Sequence, residues 1–510
     1  MRAPRELLPK RPVRLLYLCV LALLSNTIRL FLKSDEVTRA SRPPDESFQF
    51  DAPSNAGENA VATTTINNDD ESFSACILWM DDNHRLEEWL AYHYYLLKLR
   101  YVVLNVDPES RTSPDPIIDR WNDAENKYNL NMTIVVIRES DYVEEYEKEM
   151  ETIQAARLAT KDADYQLGVA KTNYHRIRQK MFYKACSKHL VQRNKSWTSF
   201  HDTDEFVAFN DDLHEKKDKS TSTTTSAQKM EQPGYVLKRL NEIKRAFPPD
   251  SHTNETGLSC LVVSRRRYCS KELTSEEVNG LFASSFDHNN KSRSGIVPEG
   301  FMNSSRINQT TKHNREDIVR RFDTLRYKYL TDGKDGSPKS LIDLSQMNPK
   351  LYVHDQWRVS GENQGKAHKW YAHKAMAWLC NKEEENRLSE IKKVVKDENF
   401  VIGHYLGSLE SYSFRDDARQ GGLRSYEIWK ERSNETLGEY SHVVRPWLRG
   451  FVQLVGGPDV ASYLLQDAGR FPNDYDIELR IDQYKLSYDF EKRLRKRKQK
   501  KKRKKMKNGE

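Results

Sequence analysis

Between residues 73 and 209 the chain alternates short apolar runs with longer stretches of helical periodicity. Residues 75–80 (ACILWM) form an uncharged run of strand length. Leu86, Trp89, Leu90, His93 and Leu97 then recur at helical spacing. Residues 100–106 (RYVVLNV) and 133–138 (TIVVIR) predict a second and a third strand. Ile177, Met181, Ala185 and Leu190 share one side of a helix predicted from about Asn173 to Val191. Residues 197–201 (WTSFH) predict a fourth strand. Strands alternating with helices predict an α/β domain whose parallel sheet is covered on both faces. On such sheets ligands bind at the carboxyl ends of the strands, so chemistry is expected just after these runs.

Outside this region the pattern changes. Residues 15–32 are apolar-rich with a single charge, Arg29, near one end, where it can snorkel to the headgroups. Arg2, Arg5, Lys10, Arg11 and Arg14 precede the run, which predicts a type II signal anchor with the body exported. The rival reading, a cleaved signal peptide, lacks an A-x-A site after the run. The expected organisation is a cytoplasmic tail (1–14), a transmembrane anchor (15–32), a flexible stem (33–72), an α/β domain (73–425), a helical C-terminal extension (426–491) and a disordered basic tail (492–510). Polar insertions at about 211–233 and 284–315 read as surface loops.

Composition narrows the class. A mean hydropathy of −0.84 excludes a multi-span membrane protein. Six cysteines in 510 residues exclude a disulfide scaffold, and the lack of any C-x-x-C excludes a zinc ribbon. The net charge of +8 is carried by the tail, where 13 of the 16 residues from Lys492 to Lys507 are basic and none is acidic. The remainder is mildly acidic, so nucleic acid is not an expected partner. Seven N-x-S/T sequons, at Asn131, Asn194, Asn254, Asn290, Asn303, Asn308 and Asn434, agree with a luminal body in the Golgi or another secretory-pathway compartment. That body holds five cysteines, so at least one has no intramolecular partner; Cys260 and Cys269 are close enough in sequence to pair.

The strongest chemical signal is HDTDEF, residues 201–206, directly after the fourth strand. On an extended chain residues two apart face the same side, so Asp202 and Asp204 are expected to face one point. Two such carboxylates repel unless a cation separates them, and a hard divalent ion, Mn²⁺ or Mg²⁺, suits them. Glu205 stands beside them. A solvated acidic turn is the plain alternative. Asp82 and Asn83 follow the first strand and can hydrogen-bond a base or ribose; Asp107 follows the second, where a turn cap explains it equally well. Glu87 and Glu88 are accounted for as acids complementing the helix dipole.

WMDDNHRLEEWLAYHYYL, YVVLNVDPES, HRIRQKMFYKAC and WTSFHDTDEFVAF, with the later PKSLIDLS and HYLGSLESYSFRDDAR, resemble the core of a family 92-like glycosyltransferase with a GT-A fold, from about residue 73 to 429. The first motif departs from the resemblance, reading Asp-Asp-Asn in place of a Lys-Asn-Glu-like triplet. The resemblance implies a nucleotide-diphosphate-sugar donor (a UDP-sugar), a metal on Asp202 and Asp204, and inverting transfer of a hexose, galactose by the resemblance, to a luminal glycan acceptor. It further implies a downstream histidine ligand, His404 or else His354. Arg415 or Arg419 would stabilise the leaving diphosphate, and Arg178 would reach the nucleotide or only the helix surface. Inversion needs a carboxylate base, for which Glu272 and Asp343 are both candidates. Two other classes remain open from sequence: a phosphotransferase or hydrolase on a related α/β fold, and a non-catalytic glycan or polyanion binder using the tail.

Overall fold

The computed structural model describes residues 71–142, 163–209, 231–248, 257–282, 285–286, 292–293, 295–298, 301, 312–331, 336–346, 380, 385–397, 400–415, 426–434 and 447–483. The chain divides into two compact units, residues 1–67 and 68–510, and all described residues belong to the second. The predicted anchor, the basic tail, most of both insertions, His354 and Arg419 lie outside the described residues. Among the described residues no helix is long and apolar enough to cross a membrane.

Eight strands form one sheet: β1 Phe73–Trp79, β2 Leu99–Val106, β3 Thr133–Ile137, β4 Trp197–Ser199, β5 Glu205–Phe209, β6 Cys260–Tyr268, β7 Lys339–Asp343 and β8 Phe400–Tyr405. Their order is β3-β2-β1-β4-β7-β6-β8-β5. β1 lies parallel to β2 and β4, β2 to β3, and β8 to β6. β7 is antiparallel to both its neighbours, β4 and β6, and β5 is antiparallel to β8. Six strands therefore share one direction and two oppose it. One end of the sheet gathers the carboxyl ends of β1, β4, β6 and β8 with the amino ends of β5 and β7.

The helices used below are α1 Asn83–Leu96, α2 Asp115–Tyr128, α3 Ala163–Gln192, α4 Tyr235–Ala246, the short α5 Asp323–Arg326, α6 Leu409–Phe414, α7 Trp447–Leu454 and α8 Pro458–Leu464. Alternation along β1 splits the interior in two. Ala75, Ile77 and Trp79 join a core with α1, α2 and α4, whereas Cys76 joins a second core with Phe182, Tyr183 and Leu190 of α3. This is the period-2 consequence of a strand covered on both faces. Trp447, Leu448, Phe451, Ala461 and Leu464 of α7 and α8 belong to the first core too. The extension expected after residue 425 thus completes the same hydrophobic interior as β1 and α1.

β5 ends the sheet, and α1 covers its open side. Trp89 Nε1 donates to the carbonyl of Glu205 at 3.0 Å and Tyr92 Oη to that of Val207 at 2.5 Å. The Val207 N–H donates to His93 Nε2 at 3.4 Å, and His93 Nδ1 faces the Trp89 carbonyl at 2.9 Å. Burial lowers His93 to about 3, so the ring is neutral, with Nδ1–H donating and Nε2 accepting. An edge strand's unpaired backbone groups are thereby matched by side chains.

Glu87 and Glu88 lie beyond the first turn of α1 and are buried, which overturns the dipole explanation. Glu87 pairs with Arg120 and accepts from the Asp467 N–H at 2.8 Å. Glu88 accepts from the N–H groups of Asp323 and Thr324 at 2.8 and 2.9 Å and from the Thr324 hydroxyl at 2.6 Å. Burial, helped by Asp323, raises Glu88 from 4.5 to about 8 against those bonds. The folded chain then binds the proton more tightly than the unfolded one, so Glu88 lowers stability as pH climbs from about 4.5 towards 8. Urea melts across this range should show that fall in the wild type, on the order of a few kcal/mol. Glu88→Gln should flatten it; an equal slope in the variant would assign the effect to other groups.

Two disulfides join distant segments, Cys76–Cys186 between β1 and α3 and Cys260–Cys380. Cys269 is free and buried. The Cys260–Cys269 pairing fails because β6 runs extended between them, and nine residues of strand at about 3.3 Å each hold the ends roughly 30 Å apart.

Candidate functional site

Residues 201–204 leave β4 and turn back into β5, the Glu205 N–H donating to the Asp202 carbonyl at 3.0 Å. The turn replaces the extended chain on which a shared facing of Asp202 and Asp204 was expected. Instead, one carboxylate oxygen each of Asp204 and Glu205 and a ring nitrogen of His404 lie within 4.8 Å of one another. Register explains the convergence, since His404 on β8 is directly opposite Glu205 on β5. Asp202 is outside this group; its carboxylate pairs with Lys339 at 3.1 Å.

The three donors differ in how free they are. Glu205 is bound on both oxygens, by Arg265 at 3.1 Å and by Lys339 at 2.7 Å, and it also accepts from the Asp202 N–H at 3.1 Å. Asp204 stands 3.6 Å from His404, 3.6 Å from Arg415 and 3.8 Å from Arg85, while its Oδ1 is buried without a hydrogen-bond partner. His404 Nδ1 is buried and unpartnered as well. Burial resists ionisation of Asp204, but His404, Arg85 and Arg415 together outweigh it and hold the carboxyl below its ordinary value. Burial also keeps His404 neutral, lowering it to about 3. At neutral pH the charge that keeps Asp204 ionised is therefore that of the two arginines. Asp204, Glu205 and His404 together offer donor atoms that could hold a metal ion.

Asp82, at the end of β1, meets the same cluster from the other side. Its Oδ2 accepts from Thr203 Oγ1 at 2.6 Å and pairs with Arg415 at 2.5 Å, and its Oδ1 is buried without a partner. Arg415 follows α6 and thus bridges Asp82 and Asp204. The other nucleotide candidates are spread along the same end of the sheet. Asn83 Nδ2 donates to the Ser113 carbonyl at 2.8 Å. Asp107 accepts from the Glu109 N–H at 2.9 Å, the turn cap of the plain reading, and pairs at 3.0 Å with Arg178, which also pairs with Glu139. Arg178 is therefore a buried bridge between two carboxylates rather than a surface residue.

The two base candidates separate by topology. Asp343 closes β7, which is antiparallel to β4, and pairs in register with Trp197, the first residue of β4. It lies at the opposite end of the sheet from Asp204, where it pairs with Lys244 at 2.5 Å and accepts from the Ser345 N–H and hydroxyl at 3.0 and 2.6 Å. That corrects its assignment as a base. Glu272 follows the carboxyl end of β6, where Tyr268 is level with Tyr405 of β8, and its half-exposed carboxylate pairs with Arg326 and Arg320.

Arg85, Thr203, Arg265 and Lys339 were not singled out from the sequence. Arg85 is buried on α1, 2.9 Å from Asp323 and 3.3 Å from the carbonyl of Leu406. A signal existed: it stands four residues before Trp89, on the apolar stripe of the helix, where a charge needs a buried partner. No family model matches the chain, and neither a curated protein nor a solved structure matches it.

Proposed function

We propose that the chain is a membrane-anchored, metal-dependent glycosyltransferase of the family 92-like GT-A type, acting in the secretory pathway. It would move a hexose, galactose by resemblance, from a nucleotide-diphosphate donor to a glycan acceptor with inversion. The observation that carries this reading is the meeting of Asp204, Glu205 and His404 at the carboxyl ends of the parallel strands. The sheet order, with β7 inserted antiparallel between β4 and β6, is compatible with a GT-A domain. Two disulfides and exposed sequon asparagines at 131 and 194 support an oxidising, glycosylating compartment.

In this reading Asp204 and His404 hold Mn²⁺ or Mg²⁺, and Glu205, braced by Arg265 and Lys339, fixes the start of β5 beside them. The ion, when bound, acts as a Lewis acid towards the leaving diphosphate. Asp82 offers its unpaired Oδ1 to a donor hydroxyl or amide. Arg415 carries positive charge between Asp82 and Asp204, where it offsets charge building on the departing phosphate. Glu272, which pairs with Arg326 and Arg320, would accept the proton of the attacking acceptor hydroxyl.

Thermal-shift screening of the chain with UDP- and GDP-sugars, in Mn²⁺ and then in chelator, tests the reading. Stabilisation by one nucleotide class that disappears with chelator is expected; indifference to every nucleotide would overturn it. Glu272→Gln should cut kcat by about a hundredfold at unchanged nucleotide affinity. Full kcat in that variant would remove Glu272 as the base.

A further inference from the structure

The segment that carries Arg415 is gripped by residues sixty positions further along the chain. Ser413 shares a hydrogen bond with Tyr475 Oη at 2.5 Å, and the same phenol donates to the Glu410 carbonyl at 3.2 Å. Arg480 donates to the Ser413 carbonyl at 3.3 Å. The Phe414 ring packs against Tyr475 at 5.0 Å, Phe471 at 5.2 Å and His84 at 5.8 Å. The two residues immediately before Arg415 are thus fixed by hydrogen bonds and by aromatic contacts. Arg415 then reaches Asp82 and Asp204 from a backbone with little freedom.

We propose that Tyr475 is a positioning residue of the donor site: by holding Ser413 and Glu410 it sets where the Arg415 guanidinium stands, and so tunes affinity for the nucleoside diphosphate. The inference rests on the donor reading given above. Tyr475 bonds Ser413 and Glu410 rather than Asp82 or Asp204, and from Ser413 the chain leads within two residues to Arg415, which pairs with both carboxylates. That route makes it separable from a general contribution to stability. Removing the hydroxyl while keeping the ring leaves the Phe414 packing in place. A guanidinium no longer held in one place spends less time where a phosphate needs it.

The test is calorimetric titration of the full chain with UDP and with GDP, each in Mn²⁺, on wild type, Tyr475→Phe, Arg415→Ala and the double variant. Tyr475→Phe should weaken nucleotide binding about fivefold, within the scale of the two hydrogen bonds its hydroxyl makes, with its melting temperature little changed. In the Arg415→Ala background the same change should have no further effect, because coupled residues are not additive. Ser413→Ala, which removes the other half of the bond, should reproduce the loss and serves if Tyr475→Phe folds poorly. Unchanged affinity in Tyr475→Phe and in Ser413→Ala, or an equal loss with and without Arg415, overturns the inference while leaving the donor reading intact. A wild type that binds neither nucleotide overturns both.

Discussion

Asp204→Ala is expected to lose sugar transfer and donor hydrolysis by at least about a thousandfold while keeping its fold. The loss follows from where Asp204 sits. It is the donor with a free buried oxygen, and it faces the neutral nitrogen of His404. Removing it leaves Glu205, whose two oxygens are committed to Arg265 and Lys339. The fold survives because neither arginine beside Asp204 is stranded. Arg85 retains Asp323 and Arg415 retains Asp82. A buried cation left with no carboxylate would instead destabilise by several kcal/mol, on the order of 3–5. Mn²⁺ titration and kinetics on the same preparation, with circular dichroism as the control, decide the matter. A folded variant that still turns over the donor sinks the metal-site reading.

The second large effect concerns stability. Replacing Cys76 and Cys186 together by alanine should destabilise the chain by about 4 kcal/mol, because the bond closes a long loop. The sequence separation is 110 residues, and the bond ties a central strand to the helix that packs on the second core. Both cysteines are fully buried, so alanine leaves no unsatisfied polar group behind. Urea unfolding of oxidised wild type, of the double variant and of wild type in reductant checks it. Reductant should bring the wild type to the variant's midpoint or below, as Cys260–Cys380 is lost too. A midpoint insensitive to both treatments would mean that the unfolded chain gains little freedom when the bond is cut.

Much of the architecture was legible because local periodicity and burial agree in it. The four runs read as strands are β1 to β4, and Asn173–Val191 lies inside α3. β1, β2 and β4 are buried almost throughout and β3 is apolar beyond Thr133, so each announces itself without its partners. β7 and β5 could not be ordered from sequence, since antiparallel insertion into a mostly parallel sheet depends on non-local pairing. The same gap left the choice between Glu272 and Asp343 open, because strand direction alone tells which end of the sheet each occupies. Asp202 was misjudged for a local reason, a turn where an extended chain was assumed. Glu88 was misjudged for a non-local one, because its partners at Asp323 and Thr324 are more than two hundred residues away. Disulfide partners were illegible on the same grounds.

The side-chain cover over β5 has a consequence for assembly. With Trp89, Tyr92 and His93 occupying the carbonyls and amide of that strand, no second chain can zip onto this border of the sheet. Any self-association must use other surfaces, and the residues that open β5, among them Glu205, stay clear of intermolecular backbone pairing.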